Sequence, residues 1–395
     1  MKSIGLFWSN KELKEKKCKN CFYSQQHAIN QASSTKKESN SFDFQINLWN
    51  SRVKNVVTGK VTRFRAIDFG VVCPLSARAL VFLFPFKVER NDFHDLVRCL
   101  SLDTDLLCTV FNEDLRSSSE PAKSYHKIDG ADLHYLMYEL SKENIETLEY
   151  DEQSNLTQMK IVINSDFRNE DISGCRLFIR FRIKLQSFDA FAKKKEVSND
   201  WLQSAFSSTY MFDVRLNDVR ELSKKRKEFV EHQGFQLPEF NKVHFFYMAD
   251  SEEIVENGSS IKLDKRLLEN DRWHSYLGAN LEFVSENIAH HWKKKENFEF
   301  PLKNDGSKLE SVTTKKTIKD FTIFFKTEFS DIRGKRVYGY LCLVVLLGWI
   351  SSSLVTLISS FIPNCICCER VAWGVETILL VVVTYCLVKY KLCKR

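Results

Sequence analysis

Residues 176–185 read RLFIRFRIKL and carry the strongest strand pattern in the chain. Apolar and basic residues alternate except at Phe178, and a β-strand points alternate side chains to opposite faces. The basic row is either the solvated side of an antiparallel sheet or part of a concave surface that binds anions. The apolar face comprises Leu177, Ile179, Phe181, Ile183 and Leu185, and the basic face comprises Arg176, Arg180, Arg182 and Lys184.

Other strand patterns lie on both sides of this segment. They alternate apolar and polar residues or form short apolar runs rich in β-branched and aromatic residues. The 31 Phe residues fit a β-rich core in which aromatic side chains fill the space between layers. The further strands predicted in this way are residues 42–48, 61–69, 79–88, 159–163, 210–216 and 243–248.

Three segments have the apolar spacing of helices. Residues 92–100, 217–232 and 279–295 repeat apolar side chains every three or four positions. The second has Asn217 or Asp218 as its N-cap and Gly234 beyond its end. These segments predict helices interspersed with the strands.

The C-terminal region contains two long apolar segments. Residues 337–362 are 26 positions without a charge, and residues 371–388 are 18 positions with one acid, Glu376. A membrane-spanning helix takes about 17–25 apolar residues, and a longer one can tilt. Because only eight residues separate the two segments, the sequence predicts a transmembrane helical hairpin.

Basic residues flank this predicted hairpin on one side. Residues 315–336 hold seven Lys or Arg and residues 389–395 hold four, whereas the connecting loop holds only Arg370. Cytoplasmic flanks of membrane helices carry an excess of Lys and Arg. We therefore expect an integral protein of the inner or plasma membrane, with the N-terminal region and the C-terminal tail in the cytoplasm.

Small and weakly polar residues recur on the first predicted span, and such stripes allow helices to approach closely. An acid inside hydrocarbon usually faces protein or water, or else extends to the interface. The sequence therefore predicts a homo-oligomer in which the hairpins associate, with either a cation-conducting path or a plain anchor. The residues predicted to form this packing or pore surface are Gly348, Ser352, Thr356, Ser359 and Glu376.

Together these patterns predict an α+β fold. It has a β-rich, antiparallel cytoplasmic region, for which a sandwich is one arrangement, followed by the C-terminal two-helix transmembrane hairpin. The predicted parts are a flexible basic arm at 1–40, a β-rich α+β domain at 41–190, a second α/β part at 191–330, the hairpin at 337–388 and a basic tail at 389–395.

The charge balance bears on the partners. The chain has 58 basic and 51 acidic residues and a net charge of +7, a weak excess for a protein that binds nucleic acid. One basic run on the second predicted helix faces either anionic lipid, an acidic partner or solvent. This run is Lys224, Lys225, Arg226 and Lys227.

Short catalytic motifs are absent from the sequence. It contains no phosphate-binding Gly-Lys loop, dinucleotide fingerprint, nucleophile elbow or zinc-protease pair, so no catalytic residue is assigned. Cys18, Cys21 and His27 have spacing that can hold part of a zinc site, but no second Cys pair completes it. Reduced free thiols are the alternative, so zinc is the one cofactor that the sequence suggests.

In layout the chain resembles bacterial immune effectors that join a cytoplasmic sensing domain to a two-span hairpin and damage the membrane when triggered. This resemblance implies a role in antiviral defence, with a protein or a small molecule as trigger and the lipid bilayer as target. The leading hypothesis is a membrane-anchored sensor or interaction domain whose hairpins associate into a pore. The alternatives are a membrane-tethered enzyme of a class without a short motif and a static membrane scaffold.

Overall fold

The structure is a computed structural model of the 395-residue chain. It divides into two compact units, one formed by Met1–Lys195 with Thr209–Glu328 and the other by Glu196–Ser208 with Phe329–Arg395. All strand pairing and core packing described below belongs to the first unit. The structure describes residues 3–11, 41–111, 113–119, 124–130, 134–164, 174–195, 207–278, 280–299, 314–330, 343–354 and 357.

An 11-stranded central sheet forms the middle of the first unit. Its neighbouring strands are antiparallel except for two pairs, β14 (Glu239–Asp250) with β2 (Ser41–Asn55) and β11 (Arg176–Lys184) with β8 (His134–Tyr138). In order across the sheet the strands are β16 (Leu263–Leu267), β18 (Asn287–Lys295), β14 (Glu239–Asp250), β2 (Ser41–Asn55), β3 (Val61–Cys73), β11 (Arg176–Lys184), β8 (His134–Tyr138), β7 (Tyr125–Asp129) and β6 (Arg116–Ser119), while β17 (Leu281–Phe283) pairs with β2 and β5 (Phe93–Asp95) pairs with β11.

Two four-stranded sheets pack against one face of the central sheet. Phe69 and Phe181 of the central sheet lie 5.9 and 5.1 Å from the ring of Phe82 in the first small sheet. Phe245 lies 5.9 Å from Phe325 in the second. The first small sheet contains β1 (Gly5–Ser9), β4 (Ala79–Phe84), β10 (Leu156–Val162) and β9 (Ile145–Asp151), the second contains β12 (Ala192–Lys194), β13 (Ser207–Leu216), β21 (Phe321–Ser330) and β15 (Ile254–Asn257), and β19 (Asn297–Glu299) pairs with β20 (Thr314–Lys316).

Three short helices cover the other face of the central sheet. Leu100, Leu107 and Trp273 pack there in one cluster with Trp49 and Phe178 of the sheet. A fourth helix lies on the outer face of the first small sheet and contributes to a separate apolar cluster. The helices are α1 (Val97–Leu102), α2 (Thr104–Phe111), α3 (Val219–Lys227) and α4 (Asn270–Leu277), with a 3-10 turn at Lys142–Asn144 and a π-helical turn at Glu228–His232.

Individual elements differ in how well the sequence predicted them. Strand β11 ends one residue before the predicted strand does. Helix α3 follows the predicted N-cap Asp218, whose carboxylate accepts a hydrogen bond from the Arg220 backbone N–H at 2.9 Å. The helix predicted over 92–100 begins only at Val97, because β5 precedes it.

The helix predicted over 279–295 is wrong. Strands β17 and β18 occupy those residues, and β18 pairs with β14 over nine residues. Trp292 is fully buried by this arrangement, which shows that strand pairing and burial override a local helical spacing. The described chain is mostly β-sheet with few helices, so the predicted α+β class is corrected to a β-rich fold.

The predicted transmembrane hairpin is also corrected. Within the described ranges, no helix combines the length and the apolar character needed to cross a membrane. Residues 343–354 are helical. Apart from these and residue 357, residues 337–388 lie outside the described part. This finding contradicts the two-pass fold and the integral membrane localisation.

Candidate ligand-binding cleft

A cleft of about 510 Å³ lies on the helix-covered face of the central sheet. Its floor is formed by strands β2, β14, β18 and β11, and its walls include the end of α2 and the Trp273 side chain of α4. Small-molecule sites usually have volumes in the range of about 300–1,000 Å³. The charged, amide and imidazole residues that line the cleft are Asp43, Gln45, Asn47, Glu113, Arg180, Lys242, His244, Asp264, Lys265, Arg266, His291 and Lys293.

Strand register brings the polar floor together from distant parts of the sequence. Arg180 of β11 lies opposite Gly70 of β3, which lies opposite Gln45 of β2. Gln45 in turn lies beside His244 of β14, and His244 lies opposite Lys293 of β18. These residues therefore form one row across five strands.

Gly70 makes room in this row for the Arg180 side chain. A Cβ atom at position 70 would lie 3.2 Å from Arg180 Nη1 and 3.3 Å from Gln45 Cβ. Both distances are tighter than ordinary van der Waals contact. The missing side chain allows the Arg180 guanidinium to cross β3 and reach Gln45 on β2.

Arg180 is a buried cation whose hydrogen bonds all go to neutral side chains. It is 1% exposed, and its Nε donates to Tyr276 Oη at 2.6 Å and its Nη1 to Gln45 Oε1 at 2.9 Å. With the Asn47 amide oxygen turned toward it, Nη2 donates to that oxygen at 2.6 Å. No carboxylate in the described part of the chain forms an ion pair with Arg180.

A second buried arginine lies beside it and does have a counter-charge. Arg182 donates from Nε and Nη2 to the two oxygens of Asp68 at 2.6 and 2.9 Å. Burial alone would lower the pKa of Arg182, but the Asp68 carboxylate more than offsets this and the pKa is raised. Tyr276 donates to Asp68 at 2.9 Å while it accepts from Arg180. The Asp68 carboxylate thus pairs directly with Arg182 and is connected to Arg180 only through the Tyr276 hydroxyl.

Two histidines line the cleft as neutral imidazoles. His244 Nδ1 lies 3.0 Å from His291 Nε2, and the His291 ring stacks on Phe246 at a centroid distance of 4.1 Å. Burial lowers the pKa of His244 to about 3, with further contributions from His291 and nearby lysines. Burial and Lys293 likewise lower the pKa of His291 to about 4. At neutral pH the pair can donate and accept hydrogen bonds but carries no charge.

Lysines at one end of the row add to the positive charge. Lys242 of β14 lies directly opposite Lys295 of β18. Lys293 lies two residues before Lys295 on β18. Like charges on opposed positions of a sheet are destabilising. Burial, together with Lys295 and Lys242, lowers the pKa of Lys293. Within the described ranges none of these three lysines forms an ion pair.

The acidic residues of the cleft do not balance this charge. Five lining side chains are basic and three are acidic. Asp43 is already paired with Arg176 at 2.8 Å, and Asp264 is paired with Lys262 at 2.8 Å. The cleft is therefore electropositive, and clefts of one sign concentrate ligands of the other.

Two buried polar atoms in the cleft lining lack a hydrogen-bond partner. Trp273 is 3% exposed, and its indole Nε1–H has no acceptor among the residues that the structure describes. The Oδ1 atom of Asp43 has no donor within the same residues. Most buried polar groups are hydrogen-bonded, so each unpaired one needs an explanation.

The predicted basic strand face contributes to this site only in part. Arg180 lines the cleft, Arg182 supports it from below, and Arg176 holds Asp43. Lys184 is exposed and does not line it. The basic run Lys224, Lys225, Arg226 and Lys227 lies on α3, away from the cleft-bearing sheet.

The remaining predicted site residues do not meet here. Gly348 and Ser352 belong to the helical residues 343–354. The described residues hold no group of three or more metal-binding side chains. The predicted residues outside the described part are Cys18, Cys21, His27, Thr356, Ser359 and Glu376.

Sequence patterns did not identify most of the cleft. Gln45, His244, Lys293 and Trp273 lie on three strands and one helix, and only the register of the sheet makes them neighbours. The one available signal was the basic face of β11, for which the sequence left two interpretations, the solvated side of an antiparallel sheet or part of a concave surface that binds anions. No protein-family model matches the chain, and no curated protein matches it in sequence.

Proposed function

We propose that the protein is a binding module that holds a small anionic ligand in this cleft. The observation that carries the proposal is the Arg180 guanidinium, fully buried at the cleft floor and bonded to neutral acceptors alone. Burying an ionised group costs several kcal/mol unless a counter-charge compensates for it. A carboxylate or phosphate on a ligand would supply that counter-charge.

The neighbouring groups support an anion rather than a cation. Asp68 is committed to Arg182 by two hydrogen bonds, so it does not neutralise Arg180 fully. Lys242 and Lys293 lie at the exposed rim, where they would attract an anion and then contact it. Guanidinium and ammonium groups together form the usual donor set for phosphate and carboxylate recognition.

This proposal keeps the sensor or interaction role that the sequence suggested and gives it a site. A small-molecule trigger would be the ligand of the cleft. The pore-forming role required the transmembrane hairpin and is not part of the proposal. No observation in the cleft favours the enzyme alternative.

Isothermal titration of the full chain with pyrophosphate tests the proposal. We expect saturable binding at low salt that weakens as salt is added, because the rim charges are screened. Replacing both rim lysines in Lys242→Gln/Lys293→Gln should raise Kd by about tenfold, since two charge contacts of roughly 0.5–1 kcal/mol are lost. Arg180→Met should weaken binding further.

The matched control is Lys184→Gln, which removes an exposed cation from the same strand as Arg180 but outside the cleft. Its Kd should equal that of the unmodified protein. The melting temperature of each variant separates loss of binding from loss of folding. Absence of saturable binding, or equal weakening by Lys184→Gln and the rim double variant, would contradict the proposal.

A further inference from the structure

Uncharged polar side chains continue the floor of the cleft beyond Arg180. We call Gln45, His244 and His291 the polar patch; all three line the cleft and are half-buried rather than enclosed. From this patch we infer that the ligand is a phosphorylated sugar, with its phosphate at Arg180 and its hydroxyls on the patch. The inference rests on the proposed anion-binding function and specifies the ligand class.

The two histidines present one donor and one acceptor to the cleft. The 3.0 Å contact between His244 Nδ1 and His291 Nε2 joins two nitrogens that share one proton. In a neutral pair each ring carries one proton, so one outer nitrogen keeps a hydrogen and the other is bare. Within the described residues neither outer nitrogen, His244 Nε2 or His291 Nδ1, forms a hydrogen bond, and neither is enclosed like the unpaired indole N–H of Trp273.

Nearby cations disfavour a charged imidazole in this pair. Lys293 lies opposite His244, and Lys242 precedes His244 by two residues on β14. Asp264 lies opposite His291 but is already ion-paired. An anion that only accepts hydrogen bonds would leave the bare nitrogen without a donor. A hydroxyl can donate to that nitrogen and accept from the other one, so hydroxyls suit both.

Gln45 lies between the proposed phosphate position and the histidines. Its Oε1 accepts from Arg180 Nη1 at 2.9 Å, which leaves its Nε2 amide group to donate to a ligand. Gln45 lies directly beside His244 on the neighbouring strand, and His291 lies on the strand after that. Since strands are about 4.8 Å apart, the patch extends about 5–10 Å from Gln45. A sugar phosphate spreads its hydroxyls over such a distance, and a bare phosphate does not.

The charge of the site fits a phosphate better than a carboxylate. Arg180 has neutral hydrogen-bond partners only, and Lys242 and Lys293 add two cations at the rim. A phosphate ester carries a charge of about −1.5 to −2 at pH 7, whereas a carboxylate carries a single charge. Its three free oxygens can also accept from more than one of these cations.

Isothermal titration of the full chain with matched probes tests the inference. Glucose 6-phosphate and cyclohexylmethyl phosphate share a six-membered ring and a phosphate, but only the sugar carries hydroxyls. We expect the Kd of glucose 6-phosphate to be at least about tenfold lower, because its hydroxyls form further hydrogen bonds. Glucose lacks the phosphate and should bind at least about tenfold more weakly than glucose 6-phosphate.

His244→Phe keeps a flat ring on β14 but removes the ring nitrogens. It should reduce the preference for glucose 6-phosphate over cyclohexylmethyl phosphate by about fivefold. The matched control is His232→Phe, which makes the same exchange at an exposed histidine just beyond α3, away from the cleft. The control should leave that preference unchanged. Arg180→Met should weaken the binding of both phosphates by the same factor.

The outcomes separate this inference from the proposed function. If cyclohexylmethyl phosphate binds through Arg180 and glucose 6-phosphate binds no more tightly, the inference is overturned and anion binding stands. A preference that His244→Phe leaves unchanged, or that His232→Phe reduces equally, also contradicts it, as does equal binding of glucose and glucose 6-phosphate. If His244→Phe does not fold, as its melting temperature will show, the probes decide on the unmodified chain. If neither these probes nor pyrophosphate bind, both proposals fall.

Discussion

Two buried carboxyl groups lie on opposite faces of the central sheet and are held in different ways. Asp68 lies on the helix-covered face, is 1% exposed and lies opposite Arg182. Glu253 is 5% exposed and lies beside Tyr247, whose ring belongs to the main core on the other face. Asp68 therefore belongs to a charged site, and Glu253 belongs to the packed interior.

The Asp68 carboxylate is saturated by donors, two of them cationic N–H groups. It accepts from Arg182 through both oxygens, from Trp49 Nε1 at 2.6 Å and from Tyr276 Oη at 2.9 Å. Arg180 reaches it only through the Tyr276 hydroxyl. Two guanidinium groups and one carboxylate leave a positive surplus, and that surplus faces the cleft.

The Glu253 carboxyl receives neutral partners instead. Tyr247 Oη donates to Oε1 at 2.5 Å and Asn50 Nδ2 donates to Oε2 at 3.0 Å. Burial raises the pKa of Glu253 to about 7, although the Tyr247 hydrogen bond and Arg63 partly offset this. This face can therefore remove its buried charge by taking up a proton. Of these two carboxyl sites, the one on the cleft face retains a buried charge that a ligand can neutralise, and the one on the core face does not.

Removing the Asp68 carboxylate should cause the largest loss of stability among the changes that test this difference. Asp68→Asn leaves Arg182 and Arg180 buried close together with no counter-charge. Breaking a buried ion pair in this way costs about 3–5 kcal/mol. We expect the free energy of unfolding, measured with urea at neutral pH, to fall by that amount.

The matched control removes both partners. Asp68→Leu/Arg182→Met replaces the pair by apolar side chains, which is often close to neutral for a buried pair. The double variant should therefore recover the part of the lost stability that comes from the unpaired Arg182 guanidinium, while the Trp49 and Tyr276 donors stay without their Asp68 acceptor. If the double variant is as unstable as the single one, the loss does not come from the unpaired Arg182 guanidinium.

The strands could be predicted from the sequence because their side chains obey a local rule. Strand β11 alternates basic and apolar residues except at Phe178, and its two faces contact different layers. The segment 279–295 could not be predicted in this way, since its helical spacing is the local signal whereas its pairing with β14 is a distant one. The cleft shares this difficulty, because its floor depends on the register of five strands. Arg180 was the one cleft residue for which the sequence analysis named anion binding, as the alternative to a solvated sheet face.

Glu253→Gln tests whether the buried Glu253 carboxyl holds a proton in the folded state. The measured quantity is the pH dependence of the stability. The pKa of Glu253 is raised from 4.5 to about 7 in the folded state. The folded state therefore keeps the proton longer, so this contribution to stability is complete below pH 4.5 and is lost as the pH rises to about 7. The loss is about 3 kcal/mol, from roughly 1.36 kcal/mol per pKa unit. The glutamine side chain does not titrate, so the variant lacks this pH-dependent loss of stability.

Urea unfolding at a series of pH values measures this difference. Between pH 4.5 and 7 the variant should gain stability relative to the unmodified protein as the pH rises. Above that window the difference should be constant. Curves that stay parallel across the window would mean that Glu253 ionises normally, and the contrast with Asp68 would then be lost.

The smallest of the three effects concerns the imidazoles of the cleft face. His291→Gln tests how His291 contributes to the pH dependence of stability. The pKa of His291 is lowered from 6.5 to about 4, chiefly by burial and by Lys293. As the pH falls below 6.5 the unfolded chain binds the proton first, so this contribution to stability is present above pH 6.5 and is lost toward pH 4.

His291 should therefore account for about 2 kcal/mol of the stability lost between about pH 7 and pH 5. The glutamine side chain can still hydrogen-bond to His244, which lies 3.0 Å away in the unmodified protein, but it does not titrate. The free energy of unfolding that the variant loses between these two pH values should be smaller by that amount. Urea unfolding at both pH values measures the difference. An unchanged acid loss would mean that His291 is protonated in the folded state, so that the cleft would carry more positive charge than Arg180 and the lysines give it.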